Sequence, residues 1–592
     1  MLYKLIAAPS GYDAVTQVLL NRGIKLEHIK DYIECSPNYQ HDALELENIT
    51  KAASLLLRHI VANNKIYVQV DSDCDGYTSA AILINYLHNF FPATVENCFS
   101  WGVHPDKHHG IDMSKITDDI KLVIAPDSSS NEYEIHKKLA EKGIDVIILD
   151  HHHAEIPADD PAIIVNNQFT YPNKSLSGAG VVYKFCTILD STLQKLLNDD
   201  NFEPKADEYL DLVALGMTAD MMDYRNLETR YLINKGFSQV KNPFFKNLAE
   251  TNSFSMKDKI NHHTVAWFIA PYVNAMSRSG TLEEKYWLFE SMLDHLAYEQ
   301  VQSTKRGFKH TMEPAVDRAI RACQAVKRRQ EKGKKDTISV VRDYIEDHKL
   351  YEHAFMIIPM EDPIDKNLVG LLANQLMALY ARPTFIVNKY QEGDKITWEG
   401  SGRAFPQGEI RDWRQYMSEN PLVMYAEGHA GAFGCGFRSL DDIESFIKEC
   451  DKLMSGVPLE MCYEVDFIFS KGDSDVDKKI LELADREDLW GQNVNIPKIA
   501  LDRIPITKDQ LILYSPESKP TFKIDIPSLG ISCIQFNFPA EKYEELLNAF
   551  PDDSSTIFMS IVGECSKNEF RGKVNAQLQI SDYCIESVGW YF

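Results

Sequence analysis

Three aspartates occupy alternate positions in the segment VDSDCDGYTSAAIL, residues 70–83. Asp71, Asp73 and Asp75 follow a strand-like apolar run at 66–70 and precede a helix-like run at 78–83. Carboxylates this close repel one another unless a positive charge lies between them. The segment therefore leaves three interpretations open: a solvated turn, a helix cap or a cation site.

Further acids and histidines stand where other apolar runs end. They are Asp127 after 122–126, Asp150 with His151, His152 and His153 after 146–149, and Asp220 after 212–219. Ligands of open α/β sheets collect beyond the carboxyl ends of the strands, so we expect these groups to share one site. Taken alone, the histidine run could equally be a surface turn.

Carboxylates mixed with imidazoles are ligands for Mn²⁺ or Zn²⁺. A carboxylate shared by two cations would place the cations ~4 Å apart, and such a pair can activate water and stabilise the charge on a phosphodiester. The residues thus point to metal-assisted hydrolysis of a phosphate ester.

Composition restricts the class of protein. The 592 residues, 44% of them hydrophobic, suffice for several buried cores, and we expect three or four domains. No apolar run approaches the ~20 residues that a membrane span needs, and the first residues lack a convincing signal peptide. The odd number of cysteines, 11, without a CxxC pair disfavours a disulfide framework and a thiolate zinc site. We expect a cytoplasmic protein.

The net charge of −25 disfavours a nucleic-acid partner at first sight. Residues 303–335, however, contain eleven Lys and Arg against three Asp and Glu. A local basic stripe on an acidic protein can guide a polyanion, although a solvated linker helix would have the same composition.

Hydrophobic periodicity changes along the chain. Alternating apolar runs and helical patterns from about 60 to 220 predict a mostly parallel sheet. A helical pattern follows at 282–332, interrupted near Gly307 and Pro314, with a domain boundary expected at 332–336. Strand-like runs at 354–358 and 384–387 predict a second α/β segment. Alternating strands near 510–514, 531–536 and 574–580 predict a small β-barrel or sandwich.

An ordered set of motifs resembles the DHH phosphoesterase superfamily: DSDCDG (71–76), PDSSS (126–130), DHH (150–152), SGAGVVYKF (177–185) and DLVALGMTAD (211–220). Segments 369–387, GSGRAF (400–405) and EGHAGAFG (427–434) resemble its associated DHHA1 domain. The connecting helix and the β-rich end make RecJ-type single-strand-specific exonucleases the most similar branch.

This resemblance implies an α/β fold, in which a parallel-sheet DHH domain is joined by a long helix to a smaller α/β DHHA1 domain and followed by an OB-like β-barrel. The boundaries we expect are 1–55 for a helical extension, 56–290 for the DHH catalytic domain, 291–336 for the basic helix, 337–455 for DHHA1 and 456–592 for the OB-like nucleic-acid-binding domain. Tyr514, Phe522 and Phe536 are candidates for base stacking in a domain of that type, although most aromatics of small barrels belong to the core.

The resemblance also implies roles for single residues. Asp73, Asp75, Asp127, His151 and Asp220 would be the direct ligands of Mn²⁺ or Mg²⁺. His152 would contact the scissile phosphate, Asp150 would orient a neighbouring histidine, and Asp71 would be a supporting acid. Substrate-holding groups would be Asn274, Arg278, Ser401, Arg403 and His429. From the residues alone, Arg278 could instead pair with a core carboxylate, and the glycine-rich turns could be ordinary loops.

Three positions depart from the family pattern. Gln69-Val70 stand where a His-Gly pair is usual, Glu427 replaces a glycine, and residues 490–497 follow the usual linker only loosely. The last departure leaves the orientation of the C-terminal domain open.

The function that the resemblance implies is divalent-metal-dependent hydrolysis of single-stranded DNA, with 5′→3′ polarity and nucleoside 5′-monophosphate products, in repair or recombination. A single-strand-binding protein or a helicase is a candidate partner. One alternative is a DHH/DHHA1 phosphodiesterase for short oligoribonucleotides or cyclic dinucleotides, which would not need the β-rich end. The other is a non-catalytic replisome scaffold, which would lose ligands that this chain keeps.

Overall fold

The computed structural model describes residues 1–106, 108–198, 201–405, 410–457, 462–515, 517–570 and 572–589. The side chains of His429 and of residues 587–589 lie outside this description. The chain divides into two compact units, one formed by residues 3–324 with 463–592 and the other by residues 325–462.

The N-terminal segment contains a short strand and three α-helices: β1 (Leu2–Leu5), α1 (Ala14–Asn21), α2 (Leu26–Glu34) and α3 (Ile49–Val61). Asp13 caps α1 by accepting a hydrogen bond from Thr16 N at 2.8 Å. The apolar face of α3 is buried, and this helix leads into the first strand of the central sheet.

Five parallel strands form that sheet: β2 (Lys65–Val70), β3 (Phe99–Val103), β4 (Ile120–Pro126), β5 (Asp145–Asp150) and β6 (Ile163–Asn166). Their order is β3-β2-β4-β5-β6. Apart from their exposed first residues, β2 and β5 are buried throughout, because helices cover both faces of a parallel sheet. The predicted parallel sheet is confirmed, and its carboxyl edge carries the ends of β2, β4 and β5.

In the described part of residues 74–291, eleven α-helices accompany the sheet: α4 (Cys74–Phe90), α5 (Pro92–Cys98), α6 (Tyr133–Glu141), α7 (Gly178–Leu197), α8 (Leu210–Ala219), α9 (Leu227–Phe237), α10 (Pro243–Thr251), α11 (Ser253–Met256), α12 (His262–Phe268), α13 (Ala270–Ser279) and α14 (Leu282–Ser291). Of these, α4 and α8 are buried on nearly all sides, because each packs between other helices. Within the described ranges, no helix combines the length and apolarity needed to span a membrane.

The helical pattern at 282–332 is interrupted by a β-hairpin, which corrects the prediction of a connecting helix over 291–336. Strands β7 (Gln300–Gln302) and β8 (Met312–Pro314) form the hairpin, and α15 (Ala315–Asp347) begins directly after it. Gly307 takes a φ of 85°, which a turn of this kind requires and a helix forbids. Conversely, α15 continues through 332–336, so the glycine at 333 does not end the helix. The domain boundaries stay predictions.

The second unit contains a five-stranded mixed sheet. Its elements are β9 (Met356–Met360), α16 (Lys366–Tyr380), β10 (Thr384–Glu392), β11 (Lys395–Arg403), α17 (Trp413–Glu419), β12 (Val423–His429), β13 (Ala432–Phe437) and α18 (Leu440–Leu453). The strand order is β12-β13-β11-β10-β9, in which only β9 and β10 run parallel. One face packs around Phe355, Trp413 and Phe446, and the other is covered by α16.

The C-terminal residues that the structure describes form a seven-stranded sheet with two α-helices, and one further strand, at 462–465, pairs with β1 instead. The elements are β14 (Cys462–Val465), β15 (Phe467–Phe469), α19 (Val476–Ala484), β16 (Lys498–Thr507), β17 (Leu511–Tyr514), β18 (Thr521–Ile526), β19 (Ile531–Phe536), α20 (Ala540–Asn548), β20 (Thr556–Phe570) and β21 (Lys573–Gly589). The order β15-β16-β20-β21-β19-β18-β17 confirms the predicted β-rich region. Its classification as an OB-like barrel stays a prediction.

The N-terminal segment contacts both this C-terminal region and the helices that accompany the parallel sheet. Arg22 forms two 2.8 Å hydrogen bonds with the buried Asp466 carboxylate. Arg230 of α9 donates to the carbonyl oxygens of Tyr32 and Asp488 at 2.8 Å each, and its guanidinium lies 4.3 Å from the Tyr32 ring centroid. A single buried side chain therefore contacts α2, α9 and the C-terminal region together.

The Arg230 junction predicts a large loss of stability on substitution. An Arg230→Leu change removes the donor to the buried Tyr32 carbonyl and to the partly buried Asp488 carbonyl, and it should lower the free energy of unfolding by about 2–4 kcal/mol. Arg225→Leu is the matched control, because its half-exposed ion pair with Asp223 should contribute less than about 1 kcal/mol. Urea unfolding of both variants measures the difference, and equal losses would contradict the prediction.

Candidate metal centre

Asp73 stands between β2 and α4 and is the N-cap of that helix. One of its carboxylate oxygens accepts hydrogen bonds from Asp75 N at 3.0 Å and Gly76 N at 3.1 Å. The partial positive charge of the helix N-terminus favours the ionised form of a capping carboxylate. The helix-cap interpretation of this segment is therefore correct for Asp73. Only Oδ1 of its carboxylate accepts these capping hydrogen bonds.

Asp75 points from the first turn of α4 to the first turn of α7. It accepts hydrogen bonds from Ser177 Oγ at 2.7 Å, Gly178 N at 2.6 Å and Ala179 N at 3.2 Å. The side chain is 1% exposed. Two helix N-termini thus hold neighbouring carboxylates, which offsets part of the cost of burying them.

Asp127 follows β4 and has a left-handed backbone, with φ at 65°. Its Oδ1 atom is buried and accepts no hydrogen bond. Burial, followed by the nearby Asp75, Asp73 and Asp71 carboxylates, raises the pKa of Asp127 well above its ordinary value. A buried carboxylate oxygen without a donor, surrounded by other carboxylates, is an unsatisfied ligand for a cation.

His151 follows β5 and faces three of these acids. Its Nε2 atom lies 3.1 Å from Asp127 Oδ1, 3.4 Å from Asp220 Oδ2 and 3.9 Å from Asp75 Oδ2. Burial lowers the pKa of His151, so the imidazole is held in the neutral form that binds metal ions. Asp220 ends α8, and burial with the Asp75 and Asp73 charges raises its pKa to about 8.

Asp150 organises the residues that follow β5. It accepts hydrogen bonds from His151 N at 2.7 Å, His152 N at 3.2 Å, Ser130 N at 3.1 Å and His152 Nδ1 at 2.8 Å. Burial opposes ionisation of Asp150, but the hydrogen bonds outweigh it and lower the pKa of this carboxyl. Burial of His152 is likewise outweighed by the contact with Asp150, which raises the pKa of that imidazole to about 9. The histidine that Asp150 orients is therefore His152.

Asp71 has a partner that we did not predict, His109. Nδ1 of His109 lies 2.6 Å from Asp71 Oδ2, and Gly110 N donates to Asp71 Oδ1 at 3.2 Å. Buried Gln69 orders the same loop, because it accepts from Asp112 N at 2.9 Å and its Nε2 lies 3.0 Å from His104 Nε2. The segment HPDKHHG (104–110), with its three histidines, is the sequence signal from which such a partner of Asp71 could have been found.

The ligand atoms fall into three overlapping groups, each within 4.8 Å: Asp71, Asp73 and Asp127; Asp75, His151 and Asp220; and Asp127, Asp150, His151 and His152. The five residues predicted as direct ligands are therefore together, and Asp127 belongs to two groups. Carboxylates with one imidazole suit Mn²⁺ or Mg²⁺, and the unsatisfied Asp127 oxygen fits such a cation.

Glycines allow these acids to lie against helices. A Cβ atom on Gly178 would stand 2.5 Å from Asp127 Cβ, and one on Gly76 would stand 2.5 Å from Asp71 Cβ. A Cβ on Gly216 of α8 would likewise collide with the Asp75 carboxylate. Each collision involves the acid itself, so the packing around the site leaves no room for alanine.

Two predicted phosphate-binding residues of α13 differ in their contacts. Asn274 accepts a hydrogen bond from Cys74 N at 3.2 Å, which places it at the first turn of α4 beside Asp73. The Arg278 Nε atom is buried and has no hydrogen-bond partner, and no carboxylate of the described ranges forms an ion pair with this arginine. The alternative that Arg278 pairs with a core carboxylate is therefore not what the structure has.

Of the predicted residues in the second unit, Ser401 and Arg403 lie on β11, where Ser401 pairs with Ile386 and Gly434. The Arg403 guanidinium donates to Gly402 O at 2.9 Å and lies beside Gly370 of α16. His429 ends β12, but its side chain falls outside the described part of the chain.

The three aromatic candidates of the C-terminal sheet separate into core and surface. Phe522 is fully buried and stacks on Phe538 at 4.5 Å between ring centroids. Tyr514 and Phe536 are 49% and 55% exposed. Both pair with Thr521 in the strand register, so they flank it on one face of the sheet.

Comparison with known proteins identifies the family. The sequence model of the DHH family, N-terminal domain, matches residues 65–217. A Bacillus subtilis (strain 168) protein named putative SPbeta prophage-derived single-strand DNA-specific exonuclease YorK is 32% identical over 590 residues, covering 98% of this chain and 97% of its own. The chain belongs to the RecJ-like family of DHH proteins. The single-stranded-DNA-specific exonuclease RecJ of B. subtilis is 24% identical over 96% of this chain and 68% of its own length.

Solved RecJ structures share the fold. RecJ from Thermus thermophilus in complex with Mn²⁺ has a TM-score of 0.68 at 18% identity, covering 96% of this chain and 76% of that chain. The Mg²⁺ complex of the same protein has a TM-score of 0.61 at 17% identity, covering 96% of this chain and 74% of that chain. The RecJ-like fold therefore extends over nearly the whole chain.

Removing one buried acid should stabilise the metal-free protein. We expect Asp127→Asn to raise the free energy of unfolding in EDTA by about 1–3 kcal/mol, because like charges in this burial repel. Mn²⁺ at a hundred-fold excess over Kd should stabilise the parent protein by about 2.7 kcal/mol. The Asp127→Asn variant should lose most of this stabilisation. Thermal unfolding with and without Mn²⁺ measures both effects.

Asp118→Asn, on an exposed carboxylate, is the control for that variant and should change neither value. An Asp127→Asn protein that keeps the full Mn²⁺ shift would show that Asp127 is not a ligand.

The packing of Gly178 gives a second prediction. Gly178→Ala should push Asp127 out of place and weaken Mn²⁺ binding by about 10–100-fold, as loss of a residue that positions a ligand does. Gly180→Ala, two residues along α7, is the control because its Cβ would meet only the Leu176 side chain, at 3.1 Å. Titration calorimetry with Mn²⁺ compares the two, and equal affinities would refute the steric argument.

Proposed function

We propose that this protein is a divalent-metal-dependent exonuclease that hydrolyses single-stranded DNA. The observation that carries the proposal is the group of four carboxylates, three of them buried, around the neutral imidazole of His151 at the carboxyl edge of the sheet. Full-length similarity to a protein named as a single-strand DNA-specific exonuclease supports the choice of substrate.

In this proposal Asp73, Asp75, Asp127, His151 and Asp220 hold Mn²⁺ or Mg²⁺. A pair of bound cations would supply an activated water and neutralise charge on the phosphate. The protein's own task is to fix the ligands before the metal arrives. Backbone N–H groups at the first turns of α4 and α7 do this by binding Asp73 and Asp75.

His152 is proposed to contact the scissile phosphate. Its Nδ1–H donates to Asp150 Oδ1, which leaves the Nε2 atom as the one that can reach a phosphate oxygen. The His152 side chain is 54% exposed, which makes it accessible to a strand entering from solvent. Asp150 is then a positioning residue, and Asp71 supports the loop that carries His109.

Arg278 and Asn274 are proposed to bind phosphate oxygens beside the metal ligands. The Arg278 guanidinium has an unpaired Nε–H, and the N–H fork of arginine matches two phosphate oxygens at once. The motif resemblance extends this role to Ser401, Arg403 and His429, as groups that bind the end of the strand.

The polarity and the biological role are proposed from the same resemblance. We infer 5′→3′ digestion to nucleoside 5′-monophosphates in DNA repair or recombination. Because the net charge is −25, we further propose that a single-strand-binding protein or a helicase helps to deliver the strand.

Digestion of end-labelled strands tests the function. With Mn²⁺, we expect a 5′ label to be released as mononucleotide at once and a 3′ label to be released only late. Duplex DNA should resist, and EDTA or Asp127→Asn should abolish cleavage. Asp118→Asn serves as the control. If a five-mer is cut and a long strand is not, the protein is a short-oligonucleotide phosphodiesterase. If neither is cut and the protein takes up no Mn²⁺, the result favours a non-catalytic replisome scaffold.

A further inference from the structure

The basic segment 303–335 is not one surface, because most cations of its helical part already have partners. Lys327 and Lys334 both pair with Glu331, at 3.2 Å and 3.0 Å. Arg318 lies over the Trp287 ring, with its guanidinium carbon 4.4 Å from the ring centroid. Much of the positive charge on α15 is thus compensated within the helix or directed at α14.

The tip of the β7–β8 hairpin is different. We define the basic loop as residues 303–311, which join the two strands. In the described part of the chain, Lys305, Arg306 and Lys309 form no ion pair, and every residue from 304 to 312 is exposed. Phe308 stands among these cations with 59% of its surface exposed.

The basic loop is nevertheless ordered by its own hydrogen bonds. Ser303 N donates to Thr311 O at 2.9 Å, Phe308 N to Lys305 O at 3.0 Å, and Thr311 N to Phe308 O at 2.9 Å. At the base, Thr304 N donates to the buried Glu313 carboxylate at 3.3 Å, and Arg321 of α15 binds the same carboxylate. The loop therefore presents its cations and Phe308 without a large ordering cost on binding.

We propose that the basic loop binds single-stranded nucleic acid, with Lys305, Arg306 and Lys309 on successive phosphates and Phe308 stacked on a base. Three unpaired cations within five residues on a protein of charge −25 select a polyanion. An exposed aromatic ring between them selects unpaired bases over a duplex, whose bases are already stacked. The proposal rests on the proposed function for the identity of the strand, and it adds a contact outside the metal centre.

Binding measured without metal separates this loop from catalysis. A fluorescent oligodeoxythymidine is titrated with the full-length protein in EDTA at several salt concentrations. For Lys305→Ala/Arg306→Ala/Lys309→Ala we expect weaker binding, and a slope of log affinity against log salt that is smaller by about 2, because each phosphate contact on a single strand contributes ~0.7. Phe308→Ala should bind about ten-fold more weakly with an unchanged slope.

Lys137→Ala/Lys138→Ala/Lys142→Ala removes the same charge from exposed positions in and just after α6 and is the control. If the salt slope of the control falls equally, the effect is explained by net charge alone and the proposal is overturned. Unchanged strand binding by the loop variant would also overturn the proposal. If that variant in addition loses binding to polyglutamate, the partner of the loop is an acidic protein surface.

Failure of this proposal and failure of the proposed function give different results. A parent protein that digests strands while the loop variant binds them normally disproves only the role of the loop. A parent that binds strands through the loop in EDTA, but never cleaves them with Mn²⁺, disproves only the nuclease.

Discussion

Repulsion among buried carboxylates is the constraint on which the first domain depends. Ligand atoms of Asp71, Asp73 and Asp127 lie within 4.8 Å of one another, Asp75 belongs to an adjoining group, and burial raises the pKa of Asp127 and of Asp71. The fold compensates two of them with helix N-termini and a third with His109, but it leaves Asp127 Oδ1 without a donor. A cation is the group that would satisfy this buried carboxylate oxygen.

This arrangement dictates the packing of the neighbouring helices. An acid can accept from the first turn of a helix only if the helix backbone comes close, and at Gly178, Gly76 and Gly216 a Cβ atom would occupy the place of the acid. The left-handed backbone at Asp127 has the same origin, since its amide donates to Leu149 O at 2.8 Å while its side chain turns toward α7. The packing thus accepts a local loss of stability and fixes the positions of the proposed ligands.

Much of this site could be predicted from the sequence, because each proposed ligand sits at a strand or helix end that hydrophobic periodicity marks. The link between Asp71 and His109 could not, since the loop at 104–112 has no periodicity and its path is set by buried Gln69. The hairpin at 300–314 was missed for a related reason. Its strands have three residues each, which is too few for an alternating pattern of apolar and polar residues. Its basic residues also resemble the charged sequence of an exposed helix.

The N-terminal segment explains why the C-terminal sheet belongs to the same compact unit as the metal centre. Tyr32 OH donates to Leu489 O at 2.7 Å, Arg22 binds Asp466, and Tyr224 N donates to Gln492 O at 3.0 Å. Tyr224 lies four residues after Asp220 and packs on Gly491, where a Cβ atom would stand 2.5 Å from its ring. The loosely matching linker at 490–497 is therefore held against the segment that follows a proposed metal ligand. Within the described part of the chain, buried and partly buried hydrogen bonds therefore join the C-terminal sheet to the elements that carry the candidate metal centre.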